Sequence, residues 1–202
     1  MGGRLLIVVR HGRTGWNASG RFQGRADPPL DEVGVGQAAE CAKALAAAFL
    51  QAGLQDPRIL SSDLRRAADT ASAIADVFAR DYRQDPMLRE VDVGGWEGLT
   101  RAEAEDRFPD EYRRWAAGSD IRRGGGETLD EAGRRVADRV APELGAAGNR
   151  PLVVVGHGMA LQAGLRHLRS RGCVTFTGDP PHLGNGGWLA VCPPGEGPPP
   201  IG

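Results

Sequence analysis

The sequence predicts an α/β fold with a mostly parallel central sheet, for two reasons. Short strand-like runs at 5–9, 58–61 and 152–155 alternate with longer segments whose apolar residues recur at helical spacing. The first run is apolar at every position, which is typical of a strand that helices cover on both faces of the sheet. Strands that alternate with helices in this way form parallel sheets with right-handed connections. We therefore expect a three-layer sandwich with the sheet as its middle layer.

The first half of the chain supplies two strands and two helices. After the first strand, a segment that contains Gly, Asn, Asp and Pro predicts a long loop, 10–30. Asp31 opens a helix that Gly53 ends. The strand at 58–61 then leads into a helix that Asp63 can cap.

The second half begins with a less regular segment, 86–126, which is rich in glycine, proline and charged residues and contains several aromatic residues. We expect an insertion that folds over the edge of the sheet, with short helices at 100–106 and 109–117. Regular elements then resume. They are a helix that starts with a Thr128–Glu131 capping box, the strand at 152–155, a helix after Gly158 and a last strand at 187–192.

Length and composition fit a single globular domain. We expect it to span 1–192, followed by a flexible Pro/Gly-rich tail at 193–202. A net charge of −1 argues against a nucleic-acid partner held by bulk electrostatics. Three cysteines without a CxxC pair, and the lack of a long apolar segment, favour a cytoplasmic protein with no membrane partner. The sequence does not distinguish a monomer from a homodimer.

Two histidines sit just past the carboxyl ends of two predicted buried strands. His11, within Arg10-His11-Gly12, follows the first strand, and His157 follows the strand at 152–155. Ligand sites of open α/β sheets form at this edge. A neutral imidazole as nucleophile, a second histidine and nearby guanidinium groups are what transfer of a phosphoryl group to histidine requires.

A pair of arginines also points to an anionic ligand. Arg65 and Arg66 fall in the first turn of the predicted helix after the strand at 58–61, where the helix dipole disfavours cations. Free backbone N–H groups at the same junction favour an anion. We expect one of the two arginines to be an ordinary solvated side chain.

Four segments together resemble the histidine phosphatase superfamily, also called the phosphoglycerate mutase-like family. They are Arg10-His11-Gly12 with Thr14 and Asn17, Ser61 to Ala71, Leu88-Arg89-Glu90 with Gly94 and Trp96-Glu97-Gly98, and Gly156-His157-Gly158. Further support comes from Asp27-Pro28-Pro29-Leu30, Gly125-Gly126-Glu127-Thr128 and Asn185-Gly186. The resemblance extends over about residues 5–192. It implies a phosphoglycerate mutase-like fold and the activity of the phosphatase branch.

The resemblance implies a phosphate pocket and three catalytic residues. His11 would attack phosphorus and become phosphohistidine, and Glu90 would protonate the leaving oxygen and then deprotonate water. His157 would be the third catalytic residue. Two arginines beside His11 would keep its imidazole neutral, as an attacking nitrogen must be. The implied phosphate-binding residues are Arg10, His11, Asn17, Arg66, His157 and Gly158.

We expect the residues at the rim of this pocket to determine the substrate specificity. Segments 20–26, 94–116 and 173–185 are the candidates for the rim. Trp96 and Trp115 would either line the pocket or pack the insertion. The individual rim residues that we predict are Arg21, Gln23, Gly24, Arg113 and Arg114.

The predicted function is metal-independent hydrolysis of a small phosphomonoester, either a sugar phosphate or a phosphoglycerate-type metabolite such as glucosyl-3-phosphoglycerate. Neither a metal ion nor another cofactor is expected, since the four histidines lack the HxxxH or HExxH spacing of metal sites. One alternative is a cofactor-dependent phosphoglycerate mutase, but mutases that resemble this chain generally have a larger insertion than 97–126. The other alternative is a non-catalytic module that only binds a phosphorylated ligand, and the joint presence of the pocket residues argues against it.

Overall fold

The computed structural model describes residues 5–146, 148, 150–192 and 194–195. Its central sheet has five strands in the order β3-β2-β4-β1-β5. The strands β1 to β4 are parallel, and β5 runs antiparallel to β1 at one edge. Apart from 194 and 195, the predicted tail at 193–202 lies outside the described residues. The strands are β1 (Leu6–Arg10), β2 (Arg58–Ser61), β3 (Tyr82–Gln84), β4 (Leu152–Gly156) and β5 (Trp188–Val191).

Helices surround this sheet, and the predicted α/β class with a mostly parallel sheet is confirmed. Short 3-10 turns lie at Pro86–Leu88, Gly94–Trp96 and Arg123–Gly125. In the described part of the chain the α-helices are α1 (Gly15–Ala18), α2 (Glu32–Gln51), α3 (Arg65–Phe78), α4 (Arg101–Arg107), α5 (Pro109–Ala116), α6 (Leu129–Ala146) and α7 (Gly158–Ser170).

Two apolar cores, one on each face of the sheet, explain the continuous apolar strands. Along β1, Leu6 and Val8 belong to the core that α6 and α7 cover, while Ile7 and Val9 belong to the core that α2 and α3 cover. Successive side chains of a strand point to opposite faces, so both faces need apolar residues. Each fully buried aliphatic side chain of this size contributes about 1.5–3 kcal/mol through removal from water. The three layers of the sandwich follow from these two cores.

The parallel strands β1, β2 and β4 end level with one another. Arg10 pairs with Gly156, and Ser61 pairs with Val155. The residue after each strand therefore leaves the sheet at the same edge, where α/β proteins bind ligands. These three residues are His11, Ser62 and His157.

The strand β3 and the N-terminus of α3 differ from the sequence-based prediction, whereas the N-terminus of α6 agrees with it. The sequence does not predict β3, because this short edge strand has polar side chains. Asp63 does not cap α3; its carboxylate instead accepts hydrogen bonds from Arg89 at 2.8 and 2.5 Å, and Leu64 stands at the N-cap. The capping box of α6 is confirmed, since Thr128 and Glu131 each accept a hydrogen bond of 3.1 Å from the other's backbone N–H.

The segment predicted as an insertion, 86–126, packs through an aromatic cluster around the buried Trp96. Trp96 and Trp115 are not among the residues that line the cavity described below, so both pack this segment. The rings around the Trp96 indole, with centroids 5.2 to 6.2 Å away, belong to Phe22, Phe108, Tyr112 and Trp115.

The helix α2 is long and apolar enough to cross a membrane by length and composition. Its side chains Cys41, Leu45 and Phe49 are buried in the core between α2, α3 and the sheet. One side of α2 thus packs into the core of the α/β sandwich. The N-terminal part of α2 packs against the loop after β1. Gly34 lies so close to this loop that a Cβ added to Gly12 would lie 2.3 Å from the carbonyl oxygen of Gly34.

Candidate functional site

A cavity of about 190 Å3 opens at the carboxyl edge of the sheet. Among the predicted site residues, those that line it are Arg10, His11, Asn17, Arg21, Gln23, Gly24, Arg66, Glu90 and Gly158. The lining residues that the sequence analysis did not single out are Phe22, Val91, Val93, Arg123, Met159 and His182. Most of the predicted pocket therefore does come together in space.

His11 is held as a neutral imidazole. Its side chain is 2% exposed, and its Nδ1 lies 2.7 Å from the carbonyl oxygen of Gly12. A carbonyl oxygen can only accept, so Nδ1 carries the proton and donates it. Burial, followed by the charges of Arg66 and Arg10, lowers the pKa of His11 to about 3. Near neutral pH, Nε2 therefore keeps its lone pair, which is the form in which imidazole acts as a nucleophile.

His157 packs against His11, but it is the one predicted phosphate-binding residue that is not among the residues lining the cavity. It is fully buried, and burial together with the charge of Arg66 holds its pKa well below the usual range. Its Nε2 is hydrogen-bonded to Ser62 Oγ at 2.9 Å, and its Nδ1 is buried without a hydrogen-bond partner among the described residues. Ser62 Oγ also accepts from the backbone N–H of Leu64, so its one proton is free for Nε2. In that arrangement Nδ1 carries the proton and can donate a hydrogen bond to an anionic ligand.

Arg66, at the start of α3, is buried against backbone carbonyl groups. It donates to the carbonyl oxygens of Ala26 at 2.6 Å and Gly24 at 2.9 Å. Its Nε is buried and has no partner in the described part of the chain. Glu97 fixes the same loop by accepting a hydrogen bond of 2.5 Å from the backbone N–H of Arg25. Apart from Asp27 Oδ1, which lies 4.0 Å from Nη1, these contacts are carbonyl groups that orient the guanidinium without neutralising it, so its charge stays available to an anion.

Arg10, at the end of β1, contacts the loop that precedes β5. It donates to the carbonyl oxygen of Leu183 at 2.7 Å and, because a guanidinium has no acceptor, to Nε2 of His182 at 3.2 Å. Its Nε is buried and unpartnered within the described residues. A Cβ on Gly158 would lie 3.3 Å from this Nε. Glycine at the start of α7 thus leaves room for the Arg10 side chain.

One carboxylate oxygen of Glu90 accepts hydrogen bonds from backbone N–H groups, and the other has only a weak contact of this kind. Its Oε1 accepts from Val91 and from Ala160, each at 2.9 Å. Its Oε2 has only a long contact, 3.4 Å, with the backbone nitrogen of Met159. Because Glu90 lines the cavity, this second oxygen is the one suited to exchange a proton with a ligand.

Arg135, on α6, fixes the backbone that carries Glu90. It donates to the carbonyl oxygens of Met87 at 2.7 Å and Arg89 at 3.1 Å. The carboxylate of Glu127 accepts from Arg135 at 2.8 Å and balances its charge. The position of Glu90 is therefore set from a helix of the core.

Asn17 and Gln23 are tied together through the loop after β1. The Asn17 Oδ1 accepts hydrogen bonds from the backbone of Thr14 at 3.1 Å and from Asn185 Nδ2 at 3.2 Å. The hydroxyl of Thr14 donates to Gln23 Oε1 at 3.0 Å. Both carboxamide oxygens are thus occupied, which leaves the amino groups of these two cavity-lining side chains as the donors available to a ligand.

The predicted rim residues do not all reach the cavity. Arg21 lines it, but its guanidinium is engaged by the carbonyl of Gly98 at 2.6 Å and by Glu103 at 3.0 Å. Arg113 and Arg114 are exposed on α5 and are not among the lining residues, which corrects their placement at the rim. The helix turns Tyr112 and Trp115 toward the Trp96 cluster, so its arginines point to solvent.

Sequence reasoning missed Arg123, which the structure buries in the cavity wall. The signal that could have revealed it is the glycine run that follows. Gly124 has a φ of 54°, and a Cβ there would lie 2.3 Å from the backbone nitrogen of Gly95. Only glycine permits the two backbones to cross this closely. The crossing holds the 3-10 turn Arg123–Gly125 against the site.

The cavity is electrostatically suited to a small dianion. Apart from Arg21, which is paired with Glu103, three guanidinium groups line it, those of Arg10, Arg66 and Arg123, together with one carboxylate, that of Glu90. Burial lowers the pKa of Arg10, Arg66 and Arg123, and the negative charge of Glu90 partly offsets this decrease. Arginine still remains charged at neutral pH and pairs with phosphate oxygens. Within the described ranges, no group of three or more His, Cys, Asp or Glu side chains is placed to hold a metal ion.

Comparison with known proteins agrees with this geometry. The model of the histidine phosphatase superfamily (branch 1) matches residues 6–194. The glucosyl-3-phosphoglycerate phosphatase of Mycobacterium tuberculosis is 37% identical over 203 residues, covering 95% of this chain and 86% of the relative.

Solved structures show the same similarity. Mycobacterial glucosyl-3-phosphoglycerate phosphatase in complex with VO3 matches with a TM-score of 0.79 and 30% identity, over 93% of this chain and 90% of the other. The phosphoserine phosphatase of Entamoeba histolytica in complex with 3-phosphoglyceric acid matches with a TM-score of 0.75 and 27% identity, over 92% and 89%. The similarity therefore extends over nearly the whole of this chain.

Proposed function

The chain belongs to the histidine phosphatase superfamily and is a phosphoric monoester hydrolase, and we propose that it hydrolyses its substrate through a phosphohistidine on His11. The observation that best supports this mechanism is the protonation state of His11. Its Nδ1 proton is committed to Gly12, and its pKa is lowered to about 3. The Nε2 lone pair is thus available at every pH near neutrality.

The first step forms the bond between His11 Nε2 and phosphorus and breaks the bond between phosphorus and the ester oxygen. The electron pair of the broken bond goes to that oxygen, which takes a proton from the Glu90 carboxyl group. Arg10, Arg66 and Nδ1 of His157 hold the three remaining phosphoryl oxygens and offset their charge in the transition state. The alcohol product then leaves.

The second step returns the enzyme to its starting state. Glu90, now a carboxylate, accepts a proton from water as the water oxygen attacks phosphorus. The bond between phosphorus and Nε2 breaks, and its electron pair returns to the imidazole. Inorganic phosphate leaves, and Glu90 again holds the proton that it gave away.

Asn17 and Gly158 complete the proposed phosphate site. The Asn17 amino group faces the ligand because its oxygen is occupied by Thr14 and Asn185. Gly158 opens α7, and its missing side chain lets Arg10 approach. Since the guanidinium groups supply the positive charge, the proposed reaction uses no metal ion or organic cofactor.

The proposed substrate is a small phosphorylated metabolite of the phosphoglycerate type, such as glucosyl-3-phosphoglycerate, and the proposed location is the cytoplasm. The similarity to glucosyl-3-phosphoglycerate phosphatase along 95% of the chain supports the substrate. Gln23, Gly24 and Arg21 line the cavity and form its proposed rim.

Turnover in the presence of a chelator tests the proposal. We expect hydrolysis of p-nitrophenyl phosphate to survive EDTA and to be inhibited competitively by vanadate and by phosphate. Complete loss in EDTA, with recovery on adding zinc or magnesium, would overturn it. Formation of 2-phosphoglycerate from 3-phosphoglycerate when 2,3-bisphosphoglycerate is added, faster than phosphate release, would identify a mutase instead.

A further inference from the structure

Arg123 is a buried cation without a carboxylate partner within the described part of the chain. Its side chain is 2% exposed. Its Nη1 lies 3.5 Å from the sulfur of Met159, which is a weak acceptor, and its Nη2 is buried with no hydrogen-bond partner. Burying a charge without a partner is costly, so proteins normally pair such groups. A ligand anion would supply the missing partner.

The position of Arg123 differs from that of the two arginines beside the nucleophile. Arg66 and Arg10 are the cations whose charges lower the pKa of His11. Arg123 instead contacts the sulfur of Met159, and the backbone nitrogen of Met159 lies 3.4 Å from Glu90 Oε2. Arg123, Met159 and Glu90 all line the cavity. Met159 therefore places Arg123 on the side of Glu90, where the leaving alcohol must be in order to receive its proton.

We propose that Arg123 binds a carboxylate on the alcohol part of the substrate, which makes the enzyme selective for phosphomonoesters of hydroxy acids. This inference rests on the proposed function, because it places the leaving group beside Glu90. The planar guanidinium can donate two parallel hydrogen bonds to a carboxylate. Nη2, which is otherwise unsatisfied, supplies one of them.

The neighbouring Arg122 provides a matched control. It has the same side chain and stands one residue away, but it is exposed and donates to Glu131 and to the carbonyl oxygen of Gly126 at 3.0 Å. It is not among the residues that line the cavity. Replacing it removes the same charge without removing a group from the site.

Two substrates that differ at one carbon test the proposal. In 3-phosphoglycerate that carbon is a carboxylate, and in glycerol 3-phosphate it is a hydroxymethyl group. We expect wild-type kcat/KM to favour 3-phosphoglycerate, and Arg123→Gln to lower kcat/KM for that substrate by roughly 30-fold to 10³-fold, the range for breaking a buried charge pair. For glycerol 3-phosphate the loss in Arg123→Gln should be much smaller, because that substrate has no carboxylate to lose. Arg122→Gln should change kcat/KM for both substrates by less than about threefold.

The possible outcomes are separable. Equal loss with both substrates would place Arg123 on the phosphoryl group and overturn the proposal, as would a wild-type enzyme without preference for 3-phosphoglycerate. The wild-type comparison stands even if Arg123→Gln does not fold, which thermal unfolding would reveal. Failure of the proposed function would appear differently, as a lack of turnover with p-nitrophenyl phosphate. In that case, the affinities of His11→Ala for 3-phosphoglycerate and for glycerol 3-phosphate can still be measured by calorimetry. Tighter binding of 3-phosphoglycerate would still show the preference for a carboxylate.

Discussion

The imidazole rings of His11 and His157 lie 5.2 Å apart, centroid to centroid, with their planes inclined at 60°. Both rings are buried, and the pKa of each is lowered. Two imidazoles at this distance would repel each other if both were protonated, so the pair is stable as two neutral rings. Two neutral rings can have different roles, because His11 can offer a lone pair while His157 offers an N–H donor.

Arg66→Gln should lower kcat/KM by about 10²–10³, the usual loss for a donor that stabilises a developing anion. Arg66 is fully buried and is held by the carbonyl oxygens of Gly24 and Ala26. Steady-state kinetics with p-nitrophenyl phosphate measures the loss.

Arg65→Gln is the matched control for that substitution. Arg65 is exposed and pairs with Asp69 at 3.5 Å on the surface of α3. Its replacement should leave kcat/KM within about threefold of wild type, since exposed ion pairs contribute little. A larger loss with Arg65→Gln than with Arg66→Gln would show that the anion is bound elsewhere.

Glu90→Gln should affect the first chemical step according to the leaving group. An alkoxide is a poor leaving group and needs protonation, so phosphohistidine formation from a sugar phosphate or phosphoglycerate should slow by about 10²–10⁴. A nitrophenolate barely needs the proton, so the same step with p-nitrophenyl phosphate should slow far less. Rapid-quench measurement of the first turnover separates this step from hydrolysis.

The control for Glu90 is Glu105→Gln, which changes an exposed carboxylate on α4. It should leave both first turnovers unchanged. Equal slowing of the first step with both substrates in Glu90→Gln would mean that the Glu90 contacts with Val91 and Ala160 are structural rather than catalytic.

Gly158→Ala should reduce activity by roughly tenfold with little change in stability. A Cβ at this position would lie 3.3 Å from Arg10 Nε, so the guanidinium must move by a few tenths of an ångström, and small misplacements of binding groups are costly in catalysis. Gly145→Ala in α6, where a Cβ would meet nothing within 4 Å, is the control. Comparable kinetics of the two variants would argue against Arg10 as a phosphate ligand.

The free energy of unfolding should decrease as the pH falls below about 6.5. In the unfolded chain a histidine binds a proton near pH 6.5, but folded His11 does so only near pH 3. Above pH 6.5 neither state is protonated and the effect vanishes; between the two values the unfolded state takes up the extra proton and is favoured. Urea unfolding from pH 8 to pH 5 should therefore show a steeper slope for wild type than for His11→Gln, by up to about 1.4 kcal/mol per pH unit. Equal slopes would contradict a buried neutral His11.

Sequence patterns could place the residues that stand at strand ends. The position of His11 and of His157 follows from two buried strands, because parallel strands in register must end at one edge of the sheet. The same logic predicts that Arg65 and Arg66 lie at a strand-to-helix junction, while the choice of Arg66 over Arg65 depends on the family resemblance. These features depend on local pattern plus one topological rule, so they can be predicted without tertiary contacts.

Other features depend on contacts between distant segments, which neither periodicity nor position at a strand end predicts. The burial of Arg123 requires Gly94 and Gly124 to let two loops cross, which no periodicity encodes. Whether Arg113 faces the cavity or solvent depends on which side of the short helix α5 packs against Trp96. Asp63 matches the pattern of a helix cap, yet Arg89 binds its carboxylate instead.

The most direct test of the account is to identify the residue that carries phosphate during turnover. A rapid-quench reaction with 32P-labelled 3-phosphoglycerate, followed by digestion and peptide mapping under alkaline conditions, preserves phosphohistidine and locates it. We expect an acid-labile, alkali-stable label on the peptide that contains His11, and none in His11→Ala. An acid-stable label on Ser61 or Ser62, or turnover by His11→Ala at the wild-type rate, would contradict the account.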